Sequence, residues 1–181
     1  MLSEMALEKS ASIICLTESH LSPDVRDAEV AIKGYQIFRT ERVNEVSRGG
    51  IIVYIKHGLE PQARIIFSGS LNSIEYQVIY LEKMNLLLIT VYRSPQSDGN
   101  SFKTVMSRID ESLLPYEGQC SSIIMNGDFN LPHIIWDHGE ISTSENNWVN
   151  HRTLKNFAEK HALVQKIDQP TIDPRPCFHK Q

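Results

Sequence analysis

Apolar positions along this chain gather into short runs of strand length, separated by polar and turn-forming residues. The runs are Ser12–Leu16, Tyr35–Phe38, Gly50–Ile55, Ala63–Phe67, Ile74–Leu81, Leu86–Tyr92 and Ser121–Met125. Most are rich in Ile and Val, and several stop at Gly, Pro, Asn or Asp, the signature of β-strands bounded by turns. Within Ile74–Leu81, alternation puts Ile74, Tyr76, Val78 and Tyr80 on one face, which predicts a half-exposed strand. Leu86–Val91 and Ile123–Met125 are continuously apolar and predict strands covered on both faces. Phe102, Val105, Met106, Ile109 and Leu113 recur at helical spacing, predicting a helix from Phe102 to Leu114 with Ser101 as its N-cap. Leu154, Phe157 and Ala158 predict a second helix over Trp148–His161, whose last turn carries Lys160 and His161, suited to the negative end of the helix dipole. A shorter helix is expected over Asp24–Ile32, and Leu131–Trp136 reads as a loop anchored by Ile and Trp. Strands outnumber helices, and helices separate some strands. That is the pattern of an α/β sandwich with a mixed sheet.

Composition narrows the classes. The 181 residues suit one domain, and 41% hydrophobic with 22% charged residues is an ordinary globular balance. Eighteen Lys and Arg against 22 Asp and Glu give a net charge of −4, which excludes nucleic-acid binding by bulk charge; any such binding needs a local basic patch or a bound metal. Cys15, Cys120 and Cys177 are odd in number and form no CxxC pair, so neither a zinc ribbon nor a disulfide framework is indicated. Cys15 and Cys120 read as small buried hydrophobes. The segment MLSEMALEKSAS lacks the basic and apolar regions of a signal peptide, and no apolar run approaches the roughly 20 residues that span a bilayer. These features predict an intracellular protein, with the nucleus as its place if it acts on genomic DNA.

The candidate chemistry lies where three apolar runs end. Ile13–Leu16 ends in Thr17-Glu18-Ser19-His20, Leu87–Ile89 in Thr90-Val91-Tyr92-Arg93, and Ile123–Met125 in Asn126-Gly127-Asp128-Phe129-Asn130. In layered α/β proteins ligands bind at the carboxyl ends of strands. If these strands are neighbours, Glu18, Tyr92, Asp128 and Asn130 converge. Their types suit phosphate-ester hydrolysis. Glu18 is a hard oxygen ligand for Mg²⁺, which takes one or two carboxylates plus substrate phosphate. Asp128 can orient and deprotonate an attacking water. Asn130, two residues on, faces the same side in an extended segment and can donate to a phosphate oxygen. Tyr92 offers a phenol O–H to phosphate, and Arg93 can pair with it. Each residue alone has an ordinary explanation: a solvated acid, a turn, a core aromatic with a wet tip. The weight lies in their coincidence. A metal site at His133, Asp137 and His138 fits no standard zinc spacing. His151, His161 and His179 read as solvated, and Arg48-Gly49-Gly50 as a turn.

Four motifs occur in order: Ile-Cys-Leu-Thr-Glu-Ser-His-Leu (14–21), Gly-Gly-Ile-Ile-Val-Tyr-Ile-Lys (49–56), Val-Tyr-Arg-Ser-Pro (91–95) and Asn-Gly-Asp-Phe-Asn-Leu-Pro (126–132), followed by Trp136-Asp137 and Gln169-Pro170-Thr171. Over about residues 10–172 the chain resembles the endonuclease/exonuclease/phosphatase superfamily. Within it, it is most similar to the endonuclease domain that precedes the reverse transcriptase of non-long-terminal-repeat retrotransposons. The resemblance implies a DNase I-like four-layer α/β sandwich with mixed sheets and Mg²⁺-dependent (or Mn²⁺-dependent) nicking of DNA. It also implies a reverse transcriptase fused to the domain in longer relatives. It matches Glu18 to the metal-binding Glu, Tyr92 to the active-site Tyr, Asp128 to the Asp that positions water, and Asn130 to the Asn that helps hold phosphate.

The chain also departs from the family pattern. The family's first strand, bearing an Asn, and its final Leu-Asp-Leu and Ser-Asp-His motifs have no counterpart. His179 follows Thr171 too closely, in a Pro-broken tail, to stand for the catalytic His. The expectation is therefore one domain, 1–181, incomplete at both termini. The alternative is an inactive remnant that binds DNA or protein weakly, and a lipid or inositol phosphatase ranks last.

Overall fold

The computed structural model describes residues 6, 10–22, 24–41, 49–59, 62–131, 134–137, 140–143 and 148–167. In chain order the elements are β1 (Ile13–Leu16), α1 (Asp27–Val30), β2 (Tyr35–Thr40), β3 (Ile51–Lys56), β4 (Ala63–Leu71), β5 (Ile74–Leu81), β6 (Leu86–Arg93), α2 (Gly99–Leu113), β7 (Ser122–Asp128), β8 (Ile134–Asp137), β9 (Glu140–Thr143) and α3 (Trp148–Lys160).

Among the described residues the strands form three sheets, ordered β1-β3-β2, β4-β5-β6-β7 and β8-β9. All pairings are antiparallel except β6 with β7, which is parallel. A parallel pair needs a long crossover, and α2 supplies it. That one parallel pairing brings the C-terminal ends of β6 and β7 to the same edge.

Three apolar clusters separate the layers. Phe102, Val105 and Ile109 of α2, with Leu154 and Phe157 of α3, cover the outer face of the four-stranded sheet at Tyr76, Val78, Leu87, Ile89 and Val91. Between the sheets, Ile51, Val53 and Ile55 of β3 meet Ile79, Leu81, Leu86 and Leu88. Beyond the three-stranded sheet, Ala6 and Ile32 pack on Tyr35, Ile52 and Tyr54. The order helices, sheet, sheet, outer segments is that of a DNase I-like α/β sandwich.

The structure corrects several expectations. β5 is buried along its whole length, not half exposed, because helices cover one face and the three-stranded sheet the other. β7 is not covered on both faces: among the described residues it is the edge strand, and Ile124 is 48% exposed. Helix α2 starts at Gly99, not Phe102. Its N-cap is Asp98, whose carboxylate accepts the Ser101 N–H at 2.8 Å and the Ser101 hydroxyl at 2.6 Å. A carboxylate with two oxygens satisfies both donors at once. The helix expected over Asp24–Ile32 is the single turn α1. Ile134–Asp137 is strand β8, paired with β9, not part of a loop. His151 is fully buried, and His161 contacts Asp110 at 2.8 Å, so neither is solvated. His133, His138, Cys177 and His179 lie outside the described residues.

Candidate active site

Strand register builds the site. On the four-stranded sheet, Ile79, Leu88 and Ile124 are successive partners across β5, β6 and β7; so are Gln77, Thr90 and Asn126, and then Glu75, Tyr92 and Asp128. Directly opposed residues share a face. The face toward the three-stranded sheet therefore grades from an apolar row to a polar row to a row of two carboxylates flanking a phenol. Gly127 permits this last step: at φ +139, a Cβ on it would lie 1.8 Å from the Val91 carbonyl oxygen.

The fourth group comes from the other sheet. The Tyr92 hydroxyl donates to Glu18 Oε1 at 2.5 Å. Glu18 follows β1 and has φ +51, the left-handed region that costs a non-glycine residue about 1–2 kcal/mol. The next two residues hold it there. Ser19 N–H donates to the Gly50 carbonyl at 3.1 Å, and His20 N–H to the Gly49 carbonyl at 3.0 Å. The Ser19 hydroxyl also donates to Gly49, at 3.2 Å. The Gly49-Gly50 segment read as a turn is thus the support of the Glu18 bend.

Asn130 arrives by a turn and not by strand alternation. β7 ends at Asp128, and Asn130 has φ +47. Its backbone N–H donates to Asp128 Oδ1 at 3.0 Å, and its side-chain amide to the Arg93 carbonyl at 2.8 Å. Arg93 itself is corrected. It is 2% exposed, and its guanidinium donates to the carbonyls of Phe129 and Asn130 at 3.2 Å and of Ser97 at 3.1 Å. It braces the Asp128–Asn130 turn from inside and does not face a phosphate.

Burial first, then the hydrogen bond to Glu18 and its charge, then the charges of Asp128 and Glu75, push the Tyr92 phenol far above its ordinary value. Tyr92 is therefore a donor at any physiological pH, and in this arrangement its one proton orients Glu18. Among the described residues, each carboxylate accepts one hydrogen bond through one oxygen, Glu18 at Oε1 and Asp128 at Oδ1. The other oxygens remain as hard donors. No three His, Cys, Asp or Glu among the described residues come together as a metal cage. Two oriented carboxylates fit Mg²⁺, which keeps waters and shares substrate phosphate, better than an ion that requires a full protein shell. A groove of about 550 Å³ runs beside them between β1 and β7, with Cys15, Thr17, Asn126 and Asp128 on its walls.

Glu75 and Gln77 are site-facing residues that strand patterning passes over. The signal was present: on the 75, 77, 79, 81 face of β5 two polar residues precede two apolar ones.

The family model described as endonuclease-reverse transcriptase matches residues 86–176. No curated protein matches the chain. Among solved structures, an AP endonuclease from Leishmania major superposes with a TM-score of 0.54 at 14% identity, covering 88% of this chain and 60% of that one. The chain thus spans about 60% of the length of that enzyme. The humanized D. rerio TDP2 (TM-score 0.47, 13% identity, 72% of this chain and 57% of that one) and the human Nocturnin catalytic domain (0.44, 13%, 71% and 55%) are also similar. No helix among the described residues is long and apolar enough to cross a membrane.

Proposed function

Because the chain belongs to the endonuclease-reverse transcriptase family of the endonuclease/exonuclease/phosphatase superfamily, we propose that it is a metal-dependent phosphodiesterase that nicks DNA and derives from a retrotransposon endonuclease. The observation that carries the reading is the meeting of two sheets at Tyr92, which donates to Glu18 and stands beside Asp128 in register.

Glu18 would hold Mg²⁺, or Mn²⁺, and Tyr92 engages only one of its two oxygens. The ion would supply positive charge to the scissile phosphate. Asp128 orients the attacking water and accepts its proton. The backbone bond from Asn130 to Asp128 Oδ1 leaves Oδ2 for that water. Asn130 has a second amide N–H for a non-bridging phosphate oxygen. Arg93 keeps this turn in place, and Tyr92 keeps Glu18 turned toward it. With a net charge of −4, DNA would be held by the ion and by local contacts, so binding is weak and salt-sensitive. The family's description as endonuclease-reverse transcriptase, and an AP endonuclease among the solved structures of this fold, suit a DNA substrate.

Relaxation of supercoiled plasmid in Mg²⁺ tests the proposal. Nicking should stop with EDTA and fall at least ~10²-fold in Asp128→Ala, the usual scale for losing a general base. Folded wild-type protein that nicks no faster than Asp128→Ala would overturn it and leave the rival reading, a binding module without turnover.

A further inference from the structure

Glu75 is the one carboxylate of the Glu75–Tyr92–Asp128 row that the proposed chemistry does not use. It is fully buried on a central strand, where a carboxylate is costly unless hydrogen-bonded. Its Oε2 accepts the Gly50 N–H at 2.6 Å, a contact that crosses from the four-stranded sheet to the three-stranded one. Gly50 in turn accepts the Ser19 N–H, and Gly49 the His20 N–H. These are the two residues that fix the left-handed bend at Glu18. The path closes on itself, since Glu18 accepts from Tyr92 and Tyr92 is the register partner of Glu75.

A Cβ on Gly50 would lie 2.7 Å from Ser19 Oγ and 3.2 Å from the Thr40 carbonyl, so the Glu18 bend packs directly on this peptide. At φ +108 Gly50 uses a conformation that side chains rarely adopt. A flexible glycine pair is a poor support unless something holds it. A short charge-assisted bond from a buried carboxylate is such a hold.

We propose that Glu75 is a positioning residue: by fixing the Gly49-Gly50 corner to the second sheet, it sets where the Glu18 carboxylate stands. This deepens the metal-binding reading of Glu18 and rests on it. In this role Glu75 is not itself a ligand of the ion or of the phosphate. It acts through backbone, and supporting bonds of this kind alter metal affinity by about 10–100-fold when lost.

Two conservative variants of the full chain separate the bond from the charge. Glu75→Asp keeps the charge and withdraws the oxygen from Gly50. Glu75→Gln keeps an oxygen acceptor at the same reach and removes the charge. Two readouts apply: amide hydrogen exchange at Ser19 and His20, and Mn²⁺ affinity by electron paramagnetic resonance without DNA. Exchange at Ser19 and His20 should rise about tenfold or more in Glu75→Asp, while β3 and β5 amides stay protected, and Mn²⁺ affinity should fall about tenfold. Glu75→Gln should stay near wild type in both. Wild-type behaviour of Glu75→Asp overturns the proposal. Loss of Ser19 and His20 protection in folded Glu75→Gln also overturns it, and decides alone if Glu75→Asp does not fold. Glu18→Gln is the control: if it leaves Mn²⁺ binding intact, Glu18 is not the ligand, and the exchange data still judge whether Glu75 holds the corner.

Discussion

The two faces of the four-stranded sheet differ in what their residues are for. On the outer face, Ile74, Tyr76, Val78 and Tyr80 of β5 and Leu87, Ile89 and Val91 of β6 are apolar from one end to the other and lie under α2 and α3. The inner face starts in the same way with Leu81, Ile79, Leu86 and Leu88, then changes to Gln77 and Thr90, and ends in Glu75, Tyr92 and Asp128. Among the described residues, Gln77 Oε1 is buried with no hydrogen-bond partner. A group of that kind costs about 1–3 kcal/mol. On the sheet itself the polar burial lies on the inner face, in the rows next to the site, apart from Arg93 at the end of β6, while on the helix side it falls on the helices, at Ser101 of α2 and Asn150 and His151 of α3.

The sharpest way to break this division is Gly127→Ala, because Gly127 serves both faces through the β6–β7 pairing. Its Cβ would sit 1.8 Å from backbone that cannot move without parting the strands. The expected loss is at least about 4 kcal/mol in urea unfolding, together with the site. Wild-type unfolding would show that β7 is not held as described.

Ile109→Ala acts on the outer face, whereas Phe102 also lies under the Arg93 guanidinium, 5.7 Å from its ring centre, and so reaches the site. Ile109 is fully buried under the sheet, and its truncation should cost about 2–5 kcal/mol. Nicking per folded molecule, measured well below the denaturation midpoint, should stay near wild type. A drop in that specific activity would mean that the two faces are not separable.

Asp110→Asn is the mildest test. Asp110 of α2 meets Lys160 Nζ at 2.5 Å and His161 Nε2 at 2.8 Å at the end of α3. Burial pushes its carboxyl up, but the hydrogen bonds and charges of Lys160 and His161 outweigh burial and hold it below the usual carboxylate value. A depressed carboxylate contributes stability that is complete above its unfolded pKa and is lost as pH falls through the lower folded value. At pH 7 the variant should be less stable by under about 1 kcal/mol, since the cluster is partly exposed. The gap should close in acid once the wild-type carboxyl is protonated. A gap that persists there would assign the effect to packing and not to charge.

Much of the site was legible because its residues sit at the ends of recognisable strands. Glu18, Tyr92, Asp128 and Asn130 each follow or finish an apolar run, and the structure brings all four to one edge. Arg93 was misread because a charged residue after a strand is normally solvated, whereas here it fills the space beneath the Asp128–Asn130 turn. Asn130 was placed beside Asp128 for the wrong local reason, since the strand stops before it.

The amino-acid order by itself determined which segments extend, which coil and which polar groups each strand delivers to its end. Those properties depend on side-chain period and on neighbours within a few residues. Tertiary structure decided which face of β5 meets helices and which meets the other sheet, that β7 lies at an edge, and that Glu75 faces Gly50 25 positions away. A period of two announces two faces and is silent about what covers each. Register across three strands, and contact between two sheets, exist only once distant segments have packed.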